Sequence, residues 1–199
     1  METKFDVSID REKWIGGSDI PAIMGISPFI TRFDLLLYKA QLLESDFNGN
    51  EYTRYGQIME PKIRDYINKK FKTNYSPSKH ELRKEAYRCH TDGENKDSIL
   101  EIKTTSVVHK RVNTYKNYLV QLLFYMMCIK KNKGRLVVYE RPKDFDETFD
   151  ENRLQIFDID IKDYEDLVED IKREVEQFKI DLEKVKNDPF ITEEELERR

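Results

Sequence analysis

Apolar residues recur along this chain with two periods, and each period predicts a different kind of element. A spacing of three to four residues predicts helices, of which the longest is an amphipathic helix at 163–186. A spacing of two predicts short strands, because successive side chains of a strand point to opposite faces. The predicted helices cover residues 18–25, 31–43, 55–71, 112–131 and 163–186, and the predicted strands cover 80–84, 86–91, 98–104, 136–139 and 154–161.

The order of a helix, three strands, a helix and a strand is typical of an α/β fold. We expect a single domain over residues 1–199, with an N-terminal helical segment at 1–52, a core at 53–161 and a C-terminal helix at 163–186 that packs on the core. The expected interruptions are a polar loop at 46–51, a turn or kink at Pro61 and a turn at Asp92–Asn95.

Composition excludes several classes of protein. Charged residues make up 37% of the chain and its mean hydropathy is −0.77, and no apolar run approaches the roughly 20 residues of a membrane span. The N-terminal residues lack the apolar stretch of a signal peptide. Cys89 and Cys128 are the only cysteines, which argues against a disulfide scaffold, a zinc finger or an iron–sulfur site. We therefore expect a protein of the reducing cytoplasm, away from membranes.

The net charge of −4 conceals a strong asymmetry along the chain. Residues 53–135 carry 19 basic and 8 acidic side chains, whereas residues 136–199 carry 11 basic and 22 acidic ones. A basic middle segment favours a phosphate-rich partner such as nucleic acid. The alternative is a solvated basic surface that an acidic helix balances elsewhere.

Asp92, Glu101 and Lys103 are the first candidates for chemistry. Glu101 and Lys103 are two residues apart in a predicted strand, so they share a face, while Ile102 points to the other. Two carboxylates hold a hard divalent cation, and a neighbouring ammonium orients water or steadies a phosphate. A surface strand with paired charges would look similar, but Glu101 lies within the most apolar stretch of its neighbourhood, and burial of a carboxylate requires a cation or a partner.

Two polar residues on neighbouring helices extend this set. Glu60, on the preceding helix, is a third acidic group for the same cluster, or else an ordinary exposed glutamate. Gln121 lies in an apolar helix and shares a helix face with Tyr118 and Tyr125. Its amide would bond to a metal-bound water or to Lys103. The alternative is a buried amide whose hydrogen bonds are satisfied by the protein itself.

A second candidate site lies near the N-terminus. Gly16 and Gly17 lead into a predicted helix and expose backbone N–H groups that attract anions. Arg11 and Ser18 would complete a phosphate pocket. The simpler interpretation is a glycine turn with a serine cap.

Taken in order, these stretches resemble the YqaJ-like phage recombinases, relatives of phage lambda exonuclease within the PD-(D/E)XK nuclease superfamily. The resemblance covers roughly residues 11–125 and implies a restriction-endonuclease-like core, a mixed central sheet flanked by helices, with Mg²⁺- or Mn²⁺-dependent hydrolysis of DNA. The matching stretches are Ile15–Ile20, Gly25–Pro28, Gly56–Pro61, Asp92-Gly93, Glu101–Lys103 and Tyr118–Tyr125.

The resemblance also implies a role for each matching residue. Asp92, Glu101 and the carbonyl of Ile102 would bind a metal ion, and Glu60 would bind a second metal or its water. Lys103 would position the attacking water with help from Gln121, and Tyr118 and Tyr125 would support the site. Arg11, Gly17 and Ser18 would hold a 5′ phosphate. His90 stands where lambda-type enzymes favour a small serine, and it either contacts the phosphate or fills space.

The implied function is degradation of linear duplex DNA from the 5′ end in phage-type homologous recombination. The alternatives are a PD-(D/E)XK endonuclease or nickase, and a non-catalytic module that binds DNA ends or a protein. The implied partners are duplex DNA ends, a single-strand annealing protein and further copies of the chain in a ring, in a bacterial host that carries the gene in a phage or prophage. A further interpretation makes the acidic helix at 163–186 a docking surface for a partner protein.

Overall fold

A computed structural model describes residues 9–44 and 49–197. Within these residues six strands form one mixed sheet. They are β1 (Ile15–Gly16), β2 (Ser76–Leu82), β3 (Tyr87–Glu94), β4 (Ser98–Thr105), β5 (Lys133–Glu140) and β6 (Leu154–Asp160). The helices are α1 (Ile20–Ile23), α2 (Arg32–Lys39), α3 (Glu51–Phe71), α4 (Lys116–Ile129), α5 (Glu165–Asn187) and α6 (Glu193–Glu197).

The sheet runs β1-β3-β4-β5-β6, and β2 pairs with β3. β4 and β5 are parallel over their whole length, from Ser98 opposite Lys133 to Thr105 opposite Glu140, and α4 makes the crossover that parallel strands require. The other long pairings are antiparallel. β1 is a two-residue strand parallel to the start of β3.

The sheet buries both of its faces, and β4 shows how. Leu100 and Ile102 pack with residues of α3 such as Met59 and Ile63. Ile99 belongs to the larger core on the opposite face, which α1, α2, α4 and α5 cover. Glu101 therefore points toward α4 from a strand that is apolar on both sides, as strands of a covered parallel pair are.

The boundaries of several elements differ from the predicted ones. β2 ends at Leu82 because residues 83–86 form the hairpin turn, with Ala86 at a φ of 57°. β3 continues through Asp92 and Gly93, so the predicted turn at Asp92–Asn95 is wrong. The side chain of Asn95 makes that turn instead, since its Oδ1 accepts hydrogen bonds from the backbone N–H groups of Asp97 and Ser98.

The helices differ in the same way. α2 ends at Lys39, earlier than predicted, because Gln41 adopts a left-handed φ of 61°. Asn50 caps α3, so the helix begins before the predicted start, and residues 46–48, half of the predicted polar loop at 46–51, lie outside the described residues. α3 runs through Pro61 without ending, because packing of its apolar side offsets the missing hydrogen bond. β1 and α6 have no counterpart among the predicted elements.

Candidate active site

Glu101 is the centre of the candidate active site. Its side chain is 1% exposed, and its Oε1 accepts hydrogen bonds from Lys103 Nζ and Gln121 Nε2, both at 2.7 Å. Its Oε2 is buried and has no hydrogen-bond partner among the described residues. Burial raises the pKa of Glu101, and Lys103 opposes that rise. The carboxylate therefore has one oxygen satisfied by the protein and one oxygen left for another positive group.

Lys103 lies on the same face of β4, as predicted for residues two apart. Burial alone would lower its pKa, but Glu101 and Asp92 outweigh that effect and raise it. Its ammonium also lies 5.9 Å from the centre of the Tyr118 ring, within the range of a cation–π contact. Lys103 is thus a permanently charged donor and not a proton acceptor at neutral pH.

Asp92 reaches the site from β3. Its Oδ2 accepts a hydrogen bond of 2.7 Å from the backbone N–H of Ile102, which fixes the carboxylate beside Glu101. Burial raises the pKa of Asp92 well above its usual value, and the charges of Glu101 and Glu60 raise it further. A raised pKa that arises from burial and like charges marks a place where a cation would be strongly stabilised.

Glu60 approaches the same place from α3 but carries its own partner. Its Oε1 accepts a hydrogen bond of 2.8 Å from Arg64, and the same nitrogen of Arg64 donates to the Asp92 carbonyl at 2.7 Å. Arg64 is fully buried, so this bridge ties α3 to β3 behind the carboxylates. The structure thus brings Asp92, Glu101, Lys103 and Gln121 together. Glu60 lies near them, and its charge raises the pKa of Asp92. Gln121 bonds to Glu101 rather than to Lys103.

The carboxylates fit a divalent cation, although residues 9–44 and 49–197 contain no group of three or more His, Cys, Asp or Glu side chains arranged to hold a metal ion. The unsatisfied oxygen of Glu101 and the mutual repulsion of Glu101 and Asp92 are both what a cation between them would relieve. Carboxylate and carbonyl oxygens are the ligands that Mg²⁺ prefers.

Three of the four predicted phosphate residues line one small pocket. Its volume is about 80 Å³, and liquid water occupies about 30 Å³ per molecule, so a phosphate-sized group fits. Arg11, Ser18 and His90 lie in its wall as predicted. The remaining lining residues are Trp14, Gly16, Asp19, Arg88 and Tyr125.

The charges around this pocket are mostly positive. Asp19 is almost fully buried, but Lys39 Nζ contacts its Oδ2 at 2.7 Å, and Arg11 contacts its Oδ1 at 3.5 Å. Arg88, 7% exposed, adds a further cation. The pKa of His90 falls to about 4, chiefly through burial and then through Arg88 and Lys79, so this imidazole is neutral at pH 7. Two cations, Arg11 and Arg88, thus lie in the pocket wall with one anion, Asp19, whose charge the buried Lys39 balances.

Gly17 does not line the pocket but brings its wall against α4. A Cβ at this position would lie 2.5 Å from two carbons of the Tyr125 ring and 2.9 Å from Gln121 Cγ. Tyr125 in turn has its hydroxyl 3.5 Å from Gln121 Nε2. The Tyr125 side chain therefore lines the pocket and also contacts Gln121, which binds Glu101. The pocket and the carboxylates thus lie next to each other.

Sequence reasoning missed four polar residues of these two places: Asp19, Lys39, Arg64 and Arg88. Arg64 and Lys39 carry a signal, because each is a cation on the apolar side of an amphipathic helix. Arg88 follows a tyrosine in a short strand and carries no such signal.

The family of YqaJ-like viral recombinase domains matches residues 9–132 of this sequence. This protein belongs to that family. The match includes every residue of the two places described above. A search of curated protein sequences finds no match.

Solved structures of other proteins share the fold of this YqaJ-like domain. One is LHK-Exo, an alkaline exonuclease of Laribacter hongkongensis, in a structure of its complex with dAMP. The TM-score is 0.68 at 18% sequence identity, and the similarity covers 89% of this chain and 91% of LHK-Exo. A phage-related exonuclease of Haemophilus somnus 129PT also gives a TM-score of 0.68, at 14% identity, with coverage of 88% and 96%. The predicted α/β fold, a mixed central sheet flanked by helices, is therefore confirmed.

The described part of this YqaJ-like chain has no helix that combines the length and the apolar character needed to cross a membrane.

Proposed function

We propose that this protein is a divalent-metal-dependent deoxyribonuclease that degrades linear duplex DNA from the 5′ end. The observation that carries this proposal is Glu101. A carboxylate that is buried, held by Lys103 and Gln121 through one oxygen and left without a partner on the other is suited to bind a cation. The family and the fold of solved exonucleases support the same conclusion.

Asp92, Glu101 and the carbonyl of Ile102 would hold the metal, and Glu60 would hold a second ion or its water. Mg²⁺ is the expected ion, with Mn²⁺ as the alternative. Such an ion lowers the pKa of bound water and offsets charge on a phosphoryl oxygen. The residues of the chain supply the rest. Lys103, protonated at pH 7, donates to the water or to the phosphate, and Gln121 keeps Glu101 in place.

The neighbouring pocket supports recognition of a terminal phosphate. A phosphate monoester carries a charge of about −1.5 to −2 at pH 7, more than the single charge of an internal phosphodiester. The two cations of the pocket wall, Arg11 and Arg88, match that larger charge because Lys39 balances Asp19, and Arg11 and Ser18 would bind the phosphate oxygens. Because Tyr125 lies between this pocket and Gln121, a strand end bound there would place a phosphodiester near Glu101. This adjacency favours an exonuclease over an endonuclease.

The experiment is digestion of DNA in Mg²⁺, Mn²⁺ or EDTA. The substrates are a linear duplex labelled at the 5′ or the 3′ end and a closed circular plasmid. We expect metal-dependent release of nucleotides from the 5′ end while the circle stays intact.

Asp92→Asn is the test variant, and Asp97→Asn is its matched control, because Asp97 is an exposed acid in the turn between β3 and β4. We expect Asp97→Asn to digest DNA like the wild type and Asp92→Asn to be inactive. Cutting or nicking of the circle would move the assignment to an endonuclease. Binding without cleavage in either metal would favour a non-catalytic DNA-end module.

In the cell the expected partners are duplex ends, an annealing protein and further copies of the chain, in the cytoplasm of a bacterium that carries the gene in a phage or prophage. The proposed role is phage-type homologous recombination. Size-exclusion chromatography with light scattering tests the ring, and a monomer at all concentrations would contradict it.

A further inference from the structure

Two separate segments build an aromatic and cationic cluster at the start of α3. The guanidinium of Arg141 lies 4.3 Å from the centre of the Tyr52 ring and 5.0 Å from that of Phe145. The rings of Tyr52 and Phe145 are 5.5 Å apart and inclined by 35°. Tyr52 remains 49% exposed, so part of its ring is open to solvent. We refer to these three residues as the Tyr52 cluster.

The Tyr52 cluster lies at the end of the sheet toward which the catalytic strand runs. The backbone N–H of Arg141 donates to the carbonyl of Thr105, the last residue of β4, at 2.8 Å. Gly56, one turn after Tyr52, packs beside Thr104, because a Cβ there would lie 3.5 Å from Thr104 Oγ1. Tyr52 and Glu60 are eight residues apart on α3, or about 12 Å at 1.5 Å per residue.

Residues other than Tyr52 also attach the loop between β5 and β6 to α3. A hydrogen bond of 3.0 Å runs from the Tyr55 hydroxyl to the carbonyl of Asp146. A second bond of 2.7 Å runs from Lys62 to the carbonyl of Glu147. Phe145 adopts a φ of 57°, which is strained for a bulky side chain and turns its ring onto Tyr52 and Tyr55. The loop thus presents Phe145 and Arg141 to Tyr52, whose ring stays about half exposed beside them.

An exposed aromatic ring beside an arginine, close to a nuclease site, suits one ligand above others. A nucleobase stacks on an aromatic side chain whatever its identity, while a guanidinium binds the phosphate next to it. A base that stacks on the ring must have an uncovered face, because bases inside a duplex already cover each other's faces, and the bases of an overhang or of a melted end meet this condition.

We infer that the Tyr52 cluster stacks on an unpaired base of the DNA, with Arg141 at the adjoining phosphate. This inference rests on the proposed nuclease function, since it takes DNA as the ligand.

The test measures binding in EDTA, so that cleavage does not contribute. The probes are a blunt duplex and duplexes with a short 5′ or 3′ overhang that carries 2-aminopurine, whose fluorescence falls on stacking. We expect Tyr52→Ala to weaken binding of one overhang duplex roughly tenfold, in line with about 1–3 kcal/mol per stacked base, and to abolish the quenching. Tyr52→Phe should retain both properties, because the ring is what matters.

Phe190→Ala is the control, since Phe190 is an exposed aromatic residue that follows α5 and lies outside the Tyr52 cluster. Urea unfolding checks that each variant is folded. Unchanged binding and quenching of both overhangs in folded Tyr52→Ala would overturn the inference while leaving the nuclease assignment untouched. Failure of the proposed function would appear separately, as absence of metal-dependent cleavage by the wild type.

Discussion

Replacement of Gly17 by alanine tests the idea that a close backbone approach holds the catalytic helix in position. The added methyl carbon would lie 2.5 Å from Tyr125 Cε1 and Cζ and 2.9 Å from Gln121 Cγ. Carbon atoms in contact prefer separations of about 3.5–4.0 Å, so the ring must move by about 1 Å. Both residues that must move belong to α4, and Gln121 holds Glu101 through a bond of 2.7 Å.

Two effects of different size follow from that displacement. Overpacking of a core usually costs about 1–3 kcal/mol, so Gly17→Ala should remain folded with a lower midpoint in urea. A catalytic group that is misplaced by about 1 Å can lose about 100-fold in rate. We therefore expect kcat/KM for cleavage of a linear duplex to fall about 100-fold in protein that is still fully folded.

Gly16→Ala is the matched control in the adjacent position. A Cβ on Gly16 would meet only the carbonyl of Arg88 at 3.4 Å and Asp19 Oδ2 at 3.9 Å, which are ordinary contacts. Its φ of −108° suits alanine. We expect this variant to retain activity within a few-fold. Near-wild-type activity of Gly17→Ala, measured under conditions where it is folded, would refute the reasoning.

Three further predictions follow from named contacts. Lys103→Ala should fold normally and lose about 100- to 1,000-fold in cleavage rate, because it removes a charged donor from the site; near-wild-type cleavage would contradict the assigned role. Arg11→Ala should slow digestion of 5′-phosphorylated ends more than 5′-hydroxyl ends in a competition assay, and equal slowing would argue against a phosphate pocket. Asp181→Asn should lower the free energy of unfolding by about 3 kcal/mol at pH 7, because it leaves Arg32 facing a neutral partner across a contact of 2.8 Å. Burial would raise the pKa of Asp181, but Arg32, Gln177 and Lys184 lower it, so the stabilisation is present above the usual aspartate pKa and is lost as pH falls through the lower, folded-state value. Between pH 3 and 7, the free energy of unfolding measured in urea should therefore fall less steeply with decreasing pH for Asp181→Asn than for the wild type. An equally steep fall in both proteins would count against this ion pair.

Local patterns accounted for most elements of the fold. The stripe of α5 and the alternation in β4 are properties of consecutive residues, so periodicity alone predicted a helix at 163–186 and a strand at 98–104, close to the observed Glu165–Asn187 and Ser98–Thr105. The end of β3 was misplaced because Asp92-Gly93 is typical of turns. The turn follows at Asn95, whose side chain bonds to the backbone ahead of it, and pairing with β4 keeps Gly93 and Glu94 in the strand.

The candidate site likewise has residues that the sequence indicated and contacts that only the structure revealed. The sequence by itself pointed to Glu101, because a charged residue among isoleucines and leucines of one strand needs a reason to be buried. Only the tertiary structure decided what satisfies that charge. Gln121 and Lys103 share one oxygen of Glu101, Arg64 links Glu60 to the backbone of Asp92, and neither pairing has a local signature.

The pocket and the Tyr52 cluster depend still more on folding. Arg11 and Arg88 meet because β1 pairs with the start of β3, a contact between segments about 70 residues apart that involves only two residues of each strand. Tyr52 and Arg141 are farther apart in sequence and meet where α3 crosses the end of the sheet. Helix and strand periods are set by neighbouring residues and can be read from a single sequence, whereas contacts between distant segments depend on how the elements pack and on the charges they bury together.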